Sequence, residues 1–245
     1  MRSAGEIAGV YRVGRELGRG AAGVVYEALD VRTGARVALK RLAAGAGDDV
    51  RWREVDILRR LRHANVVQLL GCVRADDALY IVMELADCGS LAAAIKRFGP
   101  LQEPLAAVYT AQILRGLAFL AQQGVVHRDL KGANVLVNSN GLVKLSDFGI
   151  ATIATSEAGA GAAADTEFAG SPFWLAPEQV AETGGGTQKS DVWSLGCTVI
   201  EMLTGAPPWS PLSAMVRAAR RRPRRAWRAR RARSPCPPRA ARPSP

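Results

Sequence analysis

Apolar and polar positions alternate through the first third of the chain, and that alternation predicts short strands. Residues 10–13 (VYRV) and 24–28 (VVYEA) flank a glycine-rich turn, and residues 37–40 (VALK) make a third strand. Within that third strand Ala38 and Lys40 share one face, while Val37 and Leu39 share the other. Over residues 49–61 the period lengthens to that of a helix: Glu54 is followed by Leu58 at i+4 and Leu61 at i+7. Residues 65–73 and 78–83 return to β character around an Asp76-Asp77 turn. Past Cys88-Gly89-Ser90 the pattern is mostly helical, over 91–98 and 104–123, with Gly124 as a C-terminal stop. Residues 135–137 and 143–145 read as two strands around an Asn-Ser-Asn-Gly turn. Residues 154–165 form a weakly specified Gly/Ala-rich loop. Ser190-Asp191 is placed to cap a helix from Val192 to about Thr204, which is apolar on nearly every side and is expected to be buried.

A sheet-rich first portion followed by a helical one makes an α+β chain. With 245 residues and 48% hydrophobic content it has enough material for one large core or two modest lobes, and it is too apolar to be disordered. No basic-then-apolar leader opens the chain and no uninterrupted apolar run approaches a membrane span, so the expectation is a cytoplasmic protein without a membrane partner. Four scattered cysteines, Cys72, Cys88, Cys197 and Cys236, lack metal-type spacing and read as free thiols. The net charge of +11 is unevenly spread: residues 217–245 hold twelve arginines and no acid, and residues 1–216 hold 21 basic and 22 acidic side chains. The basicity therefore belongs to the tail and is no argument for a nucleic-acid-binding fold.

The chemistry concentrates in His127-Arg128-Asp129-Leu130-Lys131-Gly132-Ala133-Asn134, followed by Asp147-Phe148-Gly149. Moving a phosphoryl group needs a carboxylate to orient or accept the proton of the attacking hydroxyl, and oxygen ligands for Mg²⁺. Asp129 suits the first role, Asn134 and Asp147 the second. Gly18-Arg19-Gly20-Ala21-Ala22-Gly23 matches G-x-G-x-x-G, but a dinucleotide-binding turn opens a helix and here a strand follows. Lys40 alone is an ordinary strand-end lysine. Glu54, fourteen residues on and on a helix, makes it a candidate for an ion pair aimed at phosphates.

Taken in order, these motifs resemble protein kinases. The glycine loop resembles the lid over ATP, Lys40 and Glu54 the family's lysine–glutamate pair, residues 127–134 its catalytic loop and residues 147–149 its metal-binding motif. Lysine at 131 is typical of the serine/threonine members. The phrases Lys131-Gly132-Ala133-Asn134, Gly170-Ser171-Pro172-Phe173-Trp174-Leu175-Ala176-Pro177-Glu178 and Asp191-Val192-Trp193-Ser194-Leu195-Gly196-Cys197-Thr198-Val199-Ile200-Glu201-Met202 are most similar to the STE group, to MAP kinase kinase kinases and septation-type kinases.

The resemblance implies a bilobal fold with ATP and Mg²⁺ as cofactors, a protein Ser/Thr substrate and an upstream activating kinase. ATP would be lined by Leu17, Gly18, Gly20, Gly23, Val25, Ala38, Lys40, Met83 as gatekeeper, the backbone of Glu84 and Ala86, and Leu136. Asp129, Lys131, Lys40 and Glu54 would serve catalysis, and Asn134 and Asp147 the metal. His127, Arg128, Phe148 and Asp191 would brace them, with Arg128 docking a phosphate on the loop. Thr166 is the foremost candidate phosphosite, ahead of Thr152, Thr155 and Ser156, and Ser171 and Glu178 belong to the substrate loop.

By the same resemblance residues 1–9 are an extension, 10–83 a small lobe, 84–216 a large lobe lacking its last helices, and 217–245 an Arg/Pro/Ala-rich tail. Two consequences are expected: an exposed patch on the helix from Val192, and a buried Glu178 without its partner. The tail reads as a GC-rich message in another frame or an alternative exon, as a solvated basic arm, or, least, as a nonspecific nucleic-acid contact. Beside an active kinase stands a second possibility, a catalytically impaired nucleotide-binding or regulatory product.

Overall fold

A computed structural model describes residues 6–20, 23–42, 48–75, 78–153, 171–180 and 186–209. The chain divides into a unit of Met1–Pro208 and a second of Trp209–Pro245, of which only Trp209 is among the described residues. The tail reading, Thr155, Ser156, Thr166 and Cys236 thus lie outside them.

The first half builds a six-stranded antiparallel sheet from β1 (Glu6–Ile7), β2 (Tyr11–Gly20), β3 (Gly23–Asp30), β4 (Arg36–Leu42), β5 (Leu69–Ala75) and β6 (Ala78–Glu84). Its order is β1-β2-β3-β4-β6-β5, so the chain leaves β4, forms helix α1 (Asp48–Arg60) and returns at the far edge. Both faces are apolar, which the alternation in β4 explains. Val37 and Leu39 join Ala78, Tyr80 and Val82 of β6 on one face. Ala38 and Leu42 join Leu79, Ile81 and Met83 on the other, where Val55, Leu58 and Leu61 cover them.

The strand expected from residue 65 begins only at Leu69. Residues 65–68 are held by another element: the Asn65 amide nitrogen donates to the Val143 carbonyl at 2.8 Å, and the Val67 N–H donates to the Leu145 carbonyl at 2.8 Å. These bonds direct the segment to a strand of the following region, so it does not extend the sheet.

That region comprises α2 (Leu91–Phe98), α3 (Glu103–Gln122), β7 (Val125–Val126), the hairpin of β8 (Val135–Val137) and β9 (Val143–Leu145), β10 (Thr152–Ile153), α4 (Pro177–Val180) and α5 (Gln188–Thr204). Ser90 caps α2 by accepting the Ala93 N–H at 3.2 Å. Helix α3 is, by length and composition, apolar enough to cross a membrane, although Arg115 interrupts its apolar run. Its buried Ala106, Ile113, Leu117 and Leu120 pack into the core, where α3 lies against α5 and β9.

Helix α5 starts at Gln188 and not at the expected Val192, because Thr187 occupies the cap position in place of Ser190-Asp191. Thr187 Oγ1 accepts the Ser190 N–H and Ser190 Oγ accepts the Thr187 N–H, a reciprocal box that frees Asp191 for other work. Thr187→Ala is expected to cost about 1 kcal/mol of stability, read as a lowered thermal midpoint. The helix is not buried all round. Leu195, Cys197, Thr198 and Met202 face inward, whereas Val192, Trp193, Ile200 and Leu203 are exposed.

Candidate functional site

Lys40 stands on the sheet's inner face, 4% exposed. Its Nζ reaches Glu54 Oε1 at 2.7 Å, Glu54 Oε2 at 2.9 Å and Asp147 Oδ1 at 2.7 Å. The spacing explains the first contact: an inward position of β4 faces an acidic position on the apolar side of α1. Burial works against the ammonium, but the two carboxylates outweigh it and hold the Lys40 pKa above its ordinary value.

Around Lys40 the sheet forms a cleft wall. Val25 lies opposite Lys40 and Met83 opposite Ala38 in the strand registers. The glycine-rich loop joins β2 to β3, with Gly20 paired to Gly23, so it is a strand-to-strand turn as its sequence suggested; Ala21 and Ala22 lie outside the described residues. Its glycines differ in kind. A Cβ on Gly18 or Gly20 would meet nothing within 4 Å among the described residues, so no described neighbour demands glycine there. Gly23, at φ +137°, would drive a Cβ into the Arg41 carbonyl oxygen. Gly23→Ala is therefore expected to destabilise the fold by about 3 kcal/mol, measurable by thermal or denaturant unfolding, because backbone on both sides must shift.

Past Met83 the strand leaves the sheet at Glu84. The Glu84 carboxylate accepts the Gln68 N–H at 2.7 Å and pairs with Lys144 at 2.8 Å. Ala86 and Leu136 are half-buried and Leu17 is 40% exposed. Leu136 bridges to Ser90, and the Cys88 N–H donates to the Val137 carbonyl, which docks the segment after Glu84 on the β8–β9 hairpin.

The segment from His127 hangs from α5. Buried Asp191 accepts the backbone N–H of His127 at 2.8 Å and of Arg128 at 2.9 Å. Imidazole Nε2 of His127 lies 3.0 Å from the Ser146 carbonyl oxygen, and Nδ1 lies 3.3 Å from the Asp129 backbone nitrogen, an arrangement satisfied when Nε2 carries the proton. The ring packs on Phe148 with centroids 5.0 Å apart. Arg128 and Asp147 both adopt left-handed backbone, at φ 68° and 64°, a conformation that costs energy in residues other than glycine.

Among the described residues, three side chains hold Asp129. Its Oδ2 accepts from Lys131 Nζ at 2.6 Å and Asn134 Nδ2 at 2.9 Å; its Oδ1 accepts from Ser171 Oγ at 2.9 Å. Lys131 Nζ also donates to Ser171 Oγ at 2.6 Å, closing a ring of three side chains. The Asp129 carboxylate thus accepts a hydrogen bond from an alcohol group of the chain itself.

A magnesium site fits the donor chemistry. Asn134 turns its amide nitrogen to Asp129, which leaves its oxygen for a cation. Asp147 uses one oxygen on Lys40 and keeps a side chain 39% exposed. Burial opposes its ionisation, but the Lys40 charge and hydrogen bond hold its pKa below the ordinary aspartate value, so it presents an anion at neutral pH. Hard carboxylate and amide oxygens on one cleft are what Mg²⁺ takes.

The remaining expected residues are placed less centrally. Arg128 Nε is buried without a hydrogen-bond partner among the described residues, and Thr166 lies outside them. Glu178 is exposed on the short α4, which corrects the expectation of a buried carboxylate there: the four-residue helix presents that side chain outward. Two contributors escaped sequence reading, Lys144 and Glu201. Both are buried ionisable residues inside apolar runs, and period alone assigns such positions to solvent or core filler.

Comparison with known proteins identifies the family of the chain. The protein kinase domain family matches residues 11–235, further than the residue 216 reached by the motifs. Cytokinesis protein sepH of Emericella nidulans is 46% identical over 209 residues, covering 84% of this chain and 15% of that protein. MAP3K epsilon protein kinase 1 of Arabidopsis thaliana is 46% identical over 211 residues, with the same shares of 84% and 15%. Cell division control protein 7 of Schizosaccharomyces pombe is 44% identical over 208 residues, 82% of this chain and 19% of that protein. The chain spans less than a fifth of the length of these relatives. With a family match over most of its length and a site in which Lys40, Glu54, Asp129, Asn134, Asp147 and Asp191 converge, the chain belongs to the protein kinase domain family.

Proposed function

We propose that the protein is a serine/threonine kinase that transfers the γ-phosphate of ATP to protein Ser or Thr hydroxyls, in cytoplasmic signalling of the MAP-kinase-cascade or septation kind. The observation that carries the reading is the joint placement of Lys40 between Glu54 and Asp147, and of Asp129 against a serine hydroxyl. The names of the relatives support the setting. Protein kinases as a family use ATP and Mg²⁺, and Asn134 and Asp147 are the residues that would hold the metal here, where it neutralises charge on the phosphates as the bond loosens.

In this reading Lys40, kept cationic by its two carboxylates, orients the phosphates, and Glu54 keeps it aimed. Gly18 and Gly20 let the loop's amides approach the phosphates closely. Ala38, Val25, Met83 and Leu136 enclose the adenine, with the backbone of Glu84 and Ala86 at its edge and Leu17 at the lip. Asp129 orients the acceptor hydroxyl and takes its proton, while Lys131 offsets charge on the transferred group. A phosphate on Thr166, placed by an upstream kinase, would meet Arg128, whose buried Nε lacks a partner among the described residues.

Lysine at 131, typical of the serine/threonine members, predicts the acceptor class. After incubation of the full chain with Mg²⁺ and γ-labelled ATP, acid hydrolysis of a labelled generic protein substrate should release phosphoserine and phosphothreonine. Label found chiefly on tyrosine would refute the assignment.

A further inference from the structure

Among the buried ionisable groups that the mechanism leaves unused is Glu201, near the end of α5. It is 7% exposed, and its Oε2 accepts the backbone N–H of Gly132 at 3.0 Å. Gly132 sits between Lys131 and Asn134, in the middle of the catalytic loop. The approach is tight: a Cβ on Gly132 would lie 2.8 Å from each Glu201 carboxylate oxygen. The indole of Trp174 stands near enough to favour the ionised carboxylate, although its buried Nε1 makes no direct hydrogen bond among the described residues. Trp174 is itself tied to α5, since Ser194 Oγ donates to its carbonyl at 2.7 Å.

Asp191 holds the start of the catalytic loop through His127 and Arg128. Nothing in that pair fixes the loop three residues past Asp129. Glu201 does so, ten positions further along the same helix. Burial raises its pKa, and the Gly132 N–H, Trp174 and Lys131 act in the opposite sense. An acid kept in so unfavourable a place needs a compensating contact, and the Gly132 N–H supplies it.

We propose that Glu201 is a positioning residue for phosphoryl transfer, acting through the Gly132 N–H to fix Lys131 and Asn134 relative to Asp129. The proposal rests on the kinase reading above. A Cβ at 132 would press on the Glu201 carboxylate, which must shift away from the Gly132 N–H to make room. Positioning errors of this kind slow the chemical step and leave nucleotide binding at the remote cleft wall alone.

The test uses the full chain with γ-labelled ATP, a protein substrate and a fluorescent nucleotide. Glu201→Ala is expected to lower kcat on the order of 30-fold while KM for ATP changes less than about threefold. Glu201→Gln, whose amide oxygen still accepts the Gly132 N–H, should recover most of that loss. Gly132→Ala should slow transfer in the wild-type background by displacing the Glu201 carboxylate, and have less effect when added to Glu201→Ala, because that contact is gone. Amide exchange at Gly132 should accelerate in Glu201→Ala and not in Glu201→Gln. An unchanged kcat in Glu201→Ala, additive effects of the two alanines, or a Gln variant as impaired as the Ala variant would overturn the proposal. Should Glu201→Ala fail to bind nucleotide, the Gln variant and Gly132→Ala decide it. A wild-type chain that binds nucleotide yet transfers no phosphate refutes the kinase reading; Gly132 exchange then still shows whether Glu201 holds the loop.

Discussion

Replacing Lys40 with methionine is expected to remove phosphoryl transfer and to weaken the fold at the same time. Methionine approximates the lysine stem but returns no charge to Glu54 and Asp147, each of which lies 2.7 Å from Nζ. Loss of the cation at the phosphates should lower kcat/KM on the order of 10²- to 10³-fold, the usual effect of deleting one preorganised charge. The structural cost falls on Glu54, whose side chain is only 5% exposed. An acid left unpaired at that depth costs about 3–5 kcal/mol. The sign of its pH dependence is fixed. Burial raises the Glu54 pKa, and without Lys40 nothing comparable opposes it. The folded variant therefore binds a proton more readily than the unfolded chain, whose glutamate titrates near about pH 4.3. Stability of Lys40→Met should rise as pH falls from neutral toward that value, narrowing the gap to wild type. Chemical denaturation at several pH values, beside phosphate transfer at neutral pH, checks both parts.

Asp129→Asn is expected to separate chemistry from structure. Asparagine has the shape of aspartate and keeps an oxygen able to accept from Lys131, Ser171 or Asn134, which donate to this carboxylate. It cannot accept a proton. A general base contributes about 10²- to 10⁴-fold, and a loss of that size should appear equally in kcat and in kcat/KM for the protein substrate. Nucleotide affinity should stay near wild type, because Lys40, Glu54 and Asp147 are untouched. The ion pair with Lys131 is partly exposed, so its removal should change stability by about 1 kcal/mol at most.

Legibility in the sequence depends on whether a residue acts through local period or through distant partners. Strand alternation places Ala38 and Lys40 together, and helical spacing places Glu54 among apolar neighbours; those two local rules suffice for the central ion pair. The strand-to-strand character of the glycine loop follows equally from Val24-Val25-Tyr26. Residues 65–68 have β composition, but their hydrogen bonds run to β9, a partner some eighty positions away that no window can see. The sequence misplaces the cap of α5 because Ser190 has the right side chain for a cap, and its reciprocal bond with Thr187 is visible only in three dimensions. Glu178 shows a different limit: its expected burial came from family resemblance, whereas this chain exposes it on a four-residue helix. Lys144 and Glu201 stay hidden because each looks like an interruption of an apolar run. Their roles come from Glu84 and Gly132, sixty and sixty-nine positions distant.

The most direct measurement is single-turnover transfer of γ-labelled phosphate from ATP to a protein substrate, by the full chain and by Asp129→Asn, each with and without Mg²⁺. The account predicts Mg²⁺-dependent labelling of serine and threonine by the wild type and at least about a hundredfold slower transfer by the variant, with nucleotide binding retained. Equal rates in the two proteins would contradict it.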